Sequence, residues 1–341
     1  MSADGAADSR AATLAEIRAG ERFILVTHEH PDGDALGSLV AMHEVLLALG
    51  KDSVMFVAAD EFPLPYEYRF FVFDGLVSQA PPDLDQRTVI FLDCGNIDRN
   101  PLDEVKGEGA RIVNIDHHHD NTRFGLIDHV VEAASCTAEI VWDLMRELGV
   151  APTPTIADAL YVGLVTDTGK FMYENTGERA HVMAAELIAA GVDVNAIYRR
   201  LYEEMPYSKL ELLALGLGNL SRHDDGRLTF TILHREDFHA ADAEESYSEG
   251  LIDHLRSVRG TKVAAVAREL LAPTQDGDGA RKKKVSLRAT DGEVDVSVIA
   301  RAGGGGGHRQ AAGFNTQLSE TELVAFLREQ VALQLGPLSQ V

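Results

Sequence analysis

Short apolar runs alternate with longer stretches of helical spacing through the first two hundred residues. Residues 22–27 read Arg-Phe-Ile-Leu-Val-Thr, the continuous apolar run expected of a parallel strand covered on both faces. Residues 34–49 follow with Leu36, Leu39, Val40, His43, Leu46 and Leu47 at helical spacing and Gly50 placed as a stop. Similar short strands are predicted at 53–58, 88–93 and 111–115, and helices at 137–148, 155–165 and 179–190. The alternation predicts an α/β fold with a doubly wound, mainly parallel sheet.

Leucines at 210, 212, 213, 215, 217 and 220 predict a helix that leaves this first domain. Beyond it, apolar runs at 228–233, 262–271, 283–289 and 294–298 read as strands, with Asp291 and Gly292 as a hairpin turn between the last two. A smaller mixed-sheet α/β domain is the expectation. The boundaries that follow are a disordered tail at 1–10, a first domain at 11–200, a helical connector at 201–222 and a second domain at 223–336. No heptad or solenoid period is present, and the five glycines at 303–307 are the one low-complexity segment.

Composition narrows the function. The 341 residues include 31 Lys and Arg against 54 Asp and Glu, a net charge of −23. Such a chain has no basic surface for the counterion release that long nucleic acids exploit, so a nucleic-acid partner must be short. Hydrophobic residues at 45% suffice for two cores. The two cysteines, Cys94 and Cys136, have neither zinc-site spacing nor disulfide density and suit a reducing, cytoplasmic setting. Residues 1–10 lack a signal core. No apolar run approaches the ~20 residues a bilayer span needs, so no membrane partner is expected.

The chemistry sits at the ends of predicted elements. His28, Asp32 and Asp34 surround Pro31 and Gly33 where the first strand turns into its helix, a place where open α/β sheets bind ligands. Either Asp could instead serve only as the helix cap. Asp93 ends an apolar strand, Asp116-His117-His118-His119 ends another, and Asp167 closes an apolar helix. Singly these are weak signals, but together they bring four Asp and two His to one sheet edge, which packing alone does not demand. That donor set suits a pair of divalent ions, with Mn²⁺ favoured over Mg²⁺ because imidazole takes part and zinc still open.

These residues resemble the signature motifs of the DHH phosphoesterases: His28-x-x-x-Asp32-x-Asp34, Asp93, Asp116-His117-His118 and Asp167. Near the C-terminus, the glycines at 303–307 with His308, Arg309, Gln310, Ala311, Ala312 and Gly313 resemble the glycine-rich motif of the associated DHHA1 domain. Chain size points to the nanoRNase and pAp-phosphatase branch, whose members cut nanoRNA of two to five nucleotides, pAp, and in some bacteria pApA or cyclic di-AMP. The resemblance implies two metal ions, one held by His28, Asp32 and Asp93 and the other by Asp34, Asp93, His117 and Asp167. It also implies a substrate-facing His118 and a phosphate-gripping Arg288. Two ions roughly 3.5–4 Å apart can share a hydroxide and steady both oxygens of an in-line displacement.

Asp93 and His118 are thus the catalytic candidates. Arg288, Gly305, Gly306, Gly307 and His308 are the substrate-binding ones, since successive glycine N–H groups can cradle a phosphate. Cys136 stands where the family carries a hydroxyl. Phe171 and Tyr173 read as core or as base-stacking rings, and the basic run at 281–284 as solvated loop. Three alternatives remain: a manganese inorganic pyrophosphatase, which would carry another C-terminal signature; a RecJ-like single-strand exonuclease, which would need further modules; and a non-catalytic nucleotide sensor, which would need no hydrolytic metals. Oligomeric state is open, a homodimer included.

Overall fold

The computed structural model describes residues 3–106, 109–271, 282–307 and 309–336. It divides into two compact units, Met1–Glu204 and Met205–Val341, each with its own sheet and core.

The first unit runs α1 (Ala3–Ala19), β1 (Arg22–Val26), α2 (Gly33–Ala48), β2 (Asp52–Phe56), β3 (Leu76–Val77), β4 (Thr88–Leu92), β5 (Ile112–Asp116), β6 (Ile127–Val130), α3 (Thr137–Glu147), α4 (Pro154–Asp167), α5 (Glu178–Ala189) and α6 (Val194–Tyr202). All six strands are parallel, in the order β3-β2-β1-β4-β5-β6. Strand order reverses between β1 and β4, and the crevice outside the carboxyl ends at such a switch is the ligand site of open α/β sheets. The register pairs Val26 with Phe91, so the residues after β1 and β4 emerge side by side.

Both faces of this sheet pack apolar clusters, which is why its central strands β1 and β4 read as nearly unbroken hydrophobic runs. Phe23, Leu25, Ile90, Leu92, Val113 and Ile115 pack in one cluster with residues of α1 to α5. Ile24, Val26, Val89, Phe91 and Ile112 pack the opposite cluster with Leu102 and Val105. That second face is covered by short 3-10 turns at Ile97–Arg99 and Asp103–Lys106 rather than by long helices.

The tail expected at residues 1–10 is instead helical from Ala3. Side chains explain the difference: Ser9 Oγ meets His129 Nδ1 at 3.1 Å, Arg10 pairs with Glu147, and Glu16 pairs with Arg111. Leu14 and Ile17 enter the core further along the same helix.

The second unit runs α7 (Tyr207–Gly218), β7 (Ser221–His223), β8 (Leu228–Leu233), α8 (Arg235–Ala241), α9 (Leu251–Arg256), β9 (Val263–Glu269), β10 (Lys283–Ala289), α10 (Val296–Ala302), β11 (Gly306–Gly307), β12 (Ala311–Thr316) and α11 (Glu320–Leu335). Its sheet is mixed, in the order β11-β12-β10-β9-β8-β7, with β8 and β9 parallel and every other pair antiparallel. The helix read as a connector belongs to this unit: the Gly216 carbonyl of α7 accepts a hydrogen bond from Thr231 Oγ1 of β8 at 2.5 Å.

The strand expected at 294–298 is a correction, because these residues open α10. Val294, Val296 and Val298 alternate like a strand, but Asp295 caps the helix by accepting from Ser297 N, and Val296, Ile299 and Ala300 bury one helical face. The partner of β10 is β12 instead, paired from Lys283 with Thr316 to Arg288 with Ala311. No single helix among the described residues is long and apolar enough to cross a membrane.

Candidate metal centre

Seven side chains, His28, Asp32, Asp34, Asp93, His117, His118 and Asp167, meet at the carboxyl edge of the first sheet, and local rules place them. His28 follows β1. Asp32 caps α2, its Oδ1 accepting from Asp34 N at 3.0 Å and Ala35 N at 3.1 Å. Asp32 is therefore a helix cap and a candidate ligand together, through different lone pairs. Asp93 leaves β4 at φ 59°, a left-handed conformation that costs a non-glycine residue free energy and recurs at functional sites. Its amide still donates to Ile115 O at 3.1 Å, so the turn re-aims the carboxylate without breaking the ladder.

Three groups of donors lie close enough to hold cations: His28, Asp32 and Asp93; Asp34, His117 and Asp167; and Asp93, His117 and His118. Within each, one ligand atom per residue lies within 4.8 Å of the others. Asp93 joins two groups: its Oδ2 is 3.5 Å from His28 Nε2, and its Oδ1 is 3.6 Å from both His117 Nε2 and His118 Nδ1. His117 Nε2 also lies 3.8 Å from Asp167 Oδ2. Direct hydrogen bonds would be shorter. Side chains held apart at these distances leave room for a shared ion.

Tautomers favour the same reading. His28 Nδ1 lies 2.7 Å from Glu29 O and 3.2 Å from Arg99 Nη2. A guanidinium only donates, so one nitrogen cannot serve both, and the shorter contact to a carbonyl makes it Nδ1–H. Its Nε2 lone pair then faces Asp93, as a metal-binding imidazole does when its other nitrogen donates to backbone. His118 Nδ1 donates to the buried Asp116 carboxylate at 2.8 Å, and Asn121 Nδ2 holds the other oxygen of Asp116 at 2.6 Å.

Charge favours a cation here. Burial pushes the Asp34 carboxyl well above its ordinary range, and the charges of Asp93, Asp167 and Asp32 push it further. Burial, then Asp93 and Asp32, raises Asp167 to about 8. Asp93 goes the other way: burial opposes its charge, but the facing His28 imidazole and the charges of His118 and His117 hold it well below the carboxylate range. Burial also opposes charge on His118, yet the Asp116 hydrogen bond and the charges of Asp93, Asp116 and Asp167 lift it to about 9. Four carboxylates this close cannot all ionise without a compensating charge.

Several residues that complete the centre were not singled out from sequence. Thr137 Oγ1 donates to Asp93 at 3.0 Å, while the amides of Thr137 and Ala138 donate to Asp34 at 2.6 and 2.9 Å. Two N–H groups at the start of α3 thus point at a carboxylate, the charge a helix N-terminus favours. Asn175 Nδ2 reaches Asp167 Oδ2 at 3.0 Å and Ser135 O at 2.8 Å. A polar residue at the first turn of a helix was the available signal for Thr137; Asn175 carried none. Cys136 is fully buried, and burial raises its thiol well above the ordinary range.

In the second unit Arg288 stands on β10, half-buried, its Nη1 donating to Leu287 O at 3.1 Å among the charges of Asp253, Arg256 and Glu249. Gly305 differs from expectation: its amide donates to Ala300 O at 2.8 Å, closing α10, and so is spent before any phosphate arrives. Gly306 and Gly307 form the exposed strand β11 against Gly313 and Ala312. Gly305 and Gly307 are steric requirements here, since a Cβ on Gly305 would lie 2.5 Å from Phe314 Cβ and one on Gly307 2.5 Å from Ala312 Cα, whereas one on Gly306 would meet open space. His308 lies outside the described residues.

Comparison with known proteins extends this geometry. The DHH family, N-terminal domain, matches residues 22–164, and the DHHA1 domain matches residues 231–333. The bifunctional oligoribonuclease and PAP phosphatase NrnA of Thermus thermophilus is 34% identical over 291 residues, 85% of this chain and 82% of its own. The protein of the same name in Bacillus subtilis is 26% identical over 302 residues, covering 86% and 88%. An exopolyphosphatase-related protein from Bacteroides fragilis shares the fold, with a TM-score of 0.81 over 96% of both chains at 23% identity.

Proposed function

Since the chain belongs to the DHH family and carries the DHHA1 domain that accompanies it, we propose that this phosphoesterase hydrolyses phosphate esters of very short nucleotides, pAp and RNA fragments of two to five residues foremost. The observation that carries the reading is Asp93, whose two oxygens face His28 on one side and His117 with His118 on the other. One carboxylate between two donor groups suits two ions, which we assign to His28, Asp32 and Asp93 and to Asp34, Asp93, His117 and Asp167. Manganese fits this mixture of imidazole and carboxylate. When bound, such ions supply an acidified water and positive charge at the phosphate oxygens.

The chain's own groups do the rest. Asp93 holds both halves of the centre, and Thr137 fixes which way its carboxylate faces. His118, its Nδ1 proton committed to Asp116, offers Nε2 as the position from which a proton reaches the leaving oxygen. Arg288 and the N–H groups of Gly306 and Gly307, with His308, bind the phosphate that does not react. Net charge of −23 keeps long nucleic acids away and favours small substrates neutralised at the metals. Nothing favours pyrophosphate, a long single strand or a non-catalytic role over this assignment.

The test is hydrolysis by chelator-treated protein, with and without added Mn²⁺, of pAp, pApA, short oligoribonucleotides, cyclic di-AMP and pyrophosphate. Mn²⁺ should restore activity on pAp and the shortest RNA. Undiminished activity after chelation would remove the metal assignment, and faster cleavage of pyrophosphate than of pAp would remove the substrate assignment.

A further inference from the structure

Past Asp167 the chain makes a loop whose backbone is expensive. Gly169, Lys170 and Phe171 have φ of 54°, 63° and 64°, three successive residues in the left-handed region that only glycine enters freely. Local bonds hold them there. Met172 N and Tyr173 N both donate to Thr168 O at 3.0 Å, Lys170 N donates to Val165 O at 2.8 Å, and Phe171 N donates to Thr168 Oγ1 at 3.2 Å. Lys170 Nζ sits 3.8 Å from the centre of the Tyr202 ring, and Phe171 stacks on His181 at 5.1 Å and 24°. Asn175 ties the far end back to Asp167.

With the Lys170 ammonium over the Tyr202 ring and Phe171 half-buried against His181, the next two side chains face outward. Met172 is 73% exposed and Tyr173 50%. A Cβ built on Gly169 would meet Cε2 and Cε1 of Tyr173 at 2.5 and 2.6 Å, with Cζ no farther away. A point nearly equidistant from three adjacent ring atoms lies over the ring's face, since off its edge the distances would spread. One face of Tyr173 therefore lies flat on Gly169, two residues from the Asp167 carboxylate, and the exposure belongs to the remainder of the ring. Strain of this kind persists where the surrounding structure enforces it and clusters at ligand sites.

We propose that Tyr173 is a specificity-determining residue, the platform on which a substrate's nucleobase stacks beside the metal centre. The inference rests on the assignment of this chain as a nucleotide phosphoesterase. A tyrosine face accepts any base, since every base has a π-face, and so suits fragments of mixed sequence. It gives a base-dependent affinity that phosphate contacts alone cannot supply.

Calorimetric titration of the full-length, Mn²⁺-loaded protein tests it, with AMP against ribose 5-phosphate, which keeps the sugar and phosphate and lacks the base. Wild-type protein should bind AMP more tightly than ribose 5-phosphate. Tyr173→Ala should lose about five- to hundredfold in AMP affinity and less than about twofold for ribose 5-phosphate. Tyr173→Phe should bind AMP like the wild type, because stacking needs the ring and not the hydroxyl. Thermal melting checks that each variant is folded. Equal affinities for the two ligands in the wild type, parallel losses in Tyr173→Ala, or a Tyr173→Phe as weak as Tyr173→Ala would each overturn the proposal. Should the wild type hydrolyse no nucleotide, the functional assignment falls, while the AMP comparison still decides whether Tyr173 stacks.

Discussion

His129 shows how one side chain makes the first unit sensitive to acid. It lies buried on β6 with Nδ1 against Ser9 Oγ, and burial, with the charge of Arg10, lowers its pKa to about 4. An imidazole depressed below its unfolded value of ~6.5 favours folding fully above that value, and the contribution is lost as pH falls towards 4. Integrated over that window it amounts to roughly 3 kcal/mol. Denaturant unfolding of the wild type should therefore weaken more steeply between pH 6.5 and 4 than that of His129→Gln, which cannot take up the proton. Parallel pH profiles for the two proteins would remove His129 as the source.

Between elements, the decisive contact is the crossing of α2 and α4. A Cβ on Gly37 would run into Ala159 O, and one on Gly163 would lie 2.7 Å from Ala138 Cβ and 2.8 Å from Asp34 Oδ1. Backbones this close bring α4, which ends at Asp167, against α2, which begins beside Asp34. Gly163→Ala should cost about 1–3 kcal/mol from overpacking, and it should weaken Mn²⁺ binding because the displaced atom is a candidate ligand. Mn²⁺ titration of a folded Gly163→Ala with unchanged affinity would separate the helix crossing from the centre. Such glycines also mark what sequence reveals. The runs that became β1 and β4 were legible because burial on both faces leaves mostly apolar residues, and β5 was legible despite its buried Asn114. His28, Asp93 and His117 were legible because polar residues interrupt those runs at their ends. α10 was misread because five residues fit a period of two as well as one of 3.6. Thr137 and Asn175 escaped because their roles exist only in contacts with residues far along the chain.

Among the described residues, the metal candidates all lie in the first unit and the glycine-arginine elements in the second, each unit with its own core. Ligand that binds only the native state stabilises by about 2.7 kcal/mol at a hundredfold excess over Kd. Hydrogen exchange should then slow in β1, β4 and β5 on adding Mn²⁺, with β8 to β10 little changed. Equal protection in both sheets would mean that the cation does more than complete the first unit.

The strand order carries a further consequence, in time. β1 lies inside the sheet between β2 and β4, and the next strand on that side is not made until residue 88. α1, made before any of these strands, rests on β6 at the far edge. At ~5–20 residues per second, the ribosome needs on the order of ten to thirty seconds to pass from β1 to Asp167. The group of His28, Asp32 and Asp93 is complete in sequence well before that, whereas Asp34 and His117 wait for Asp167, so capture of the second ion has to follow the emergence of the first sheet and α4.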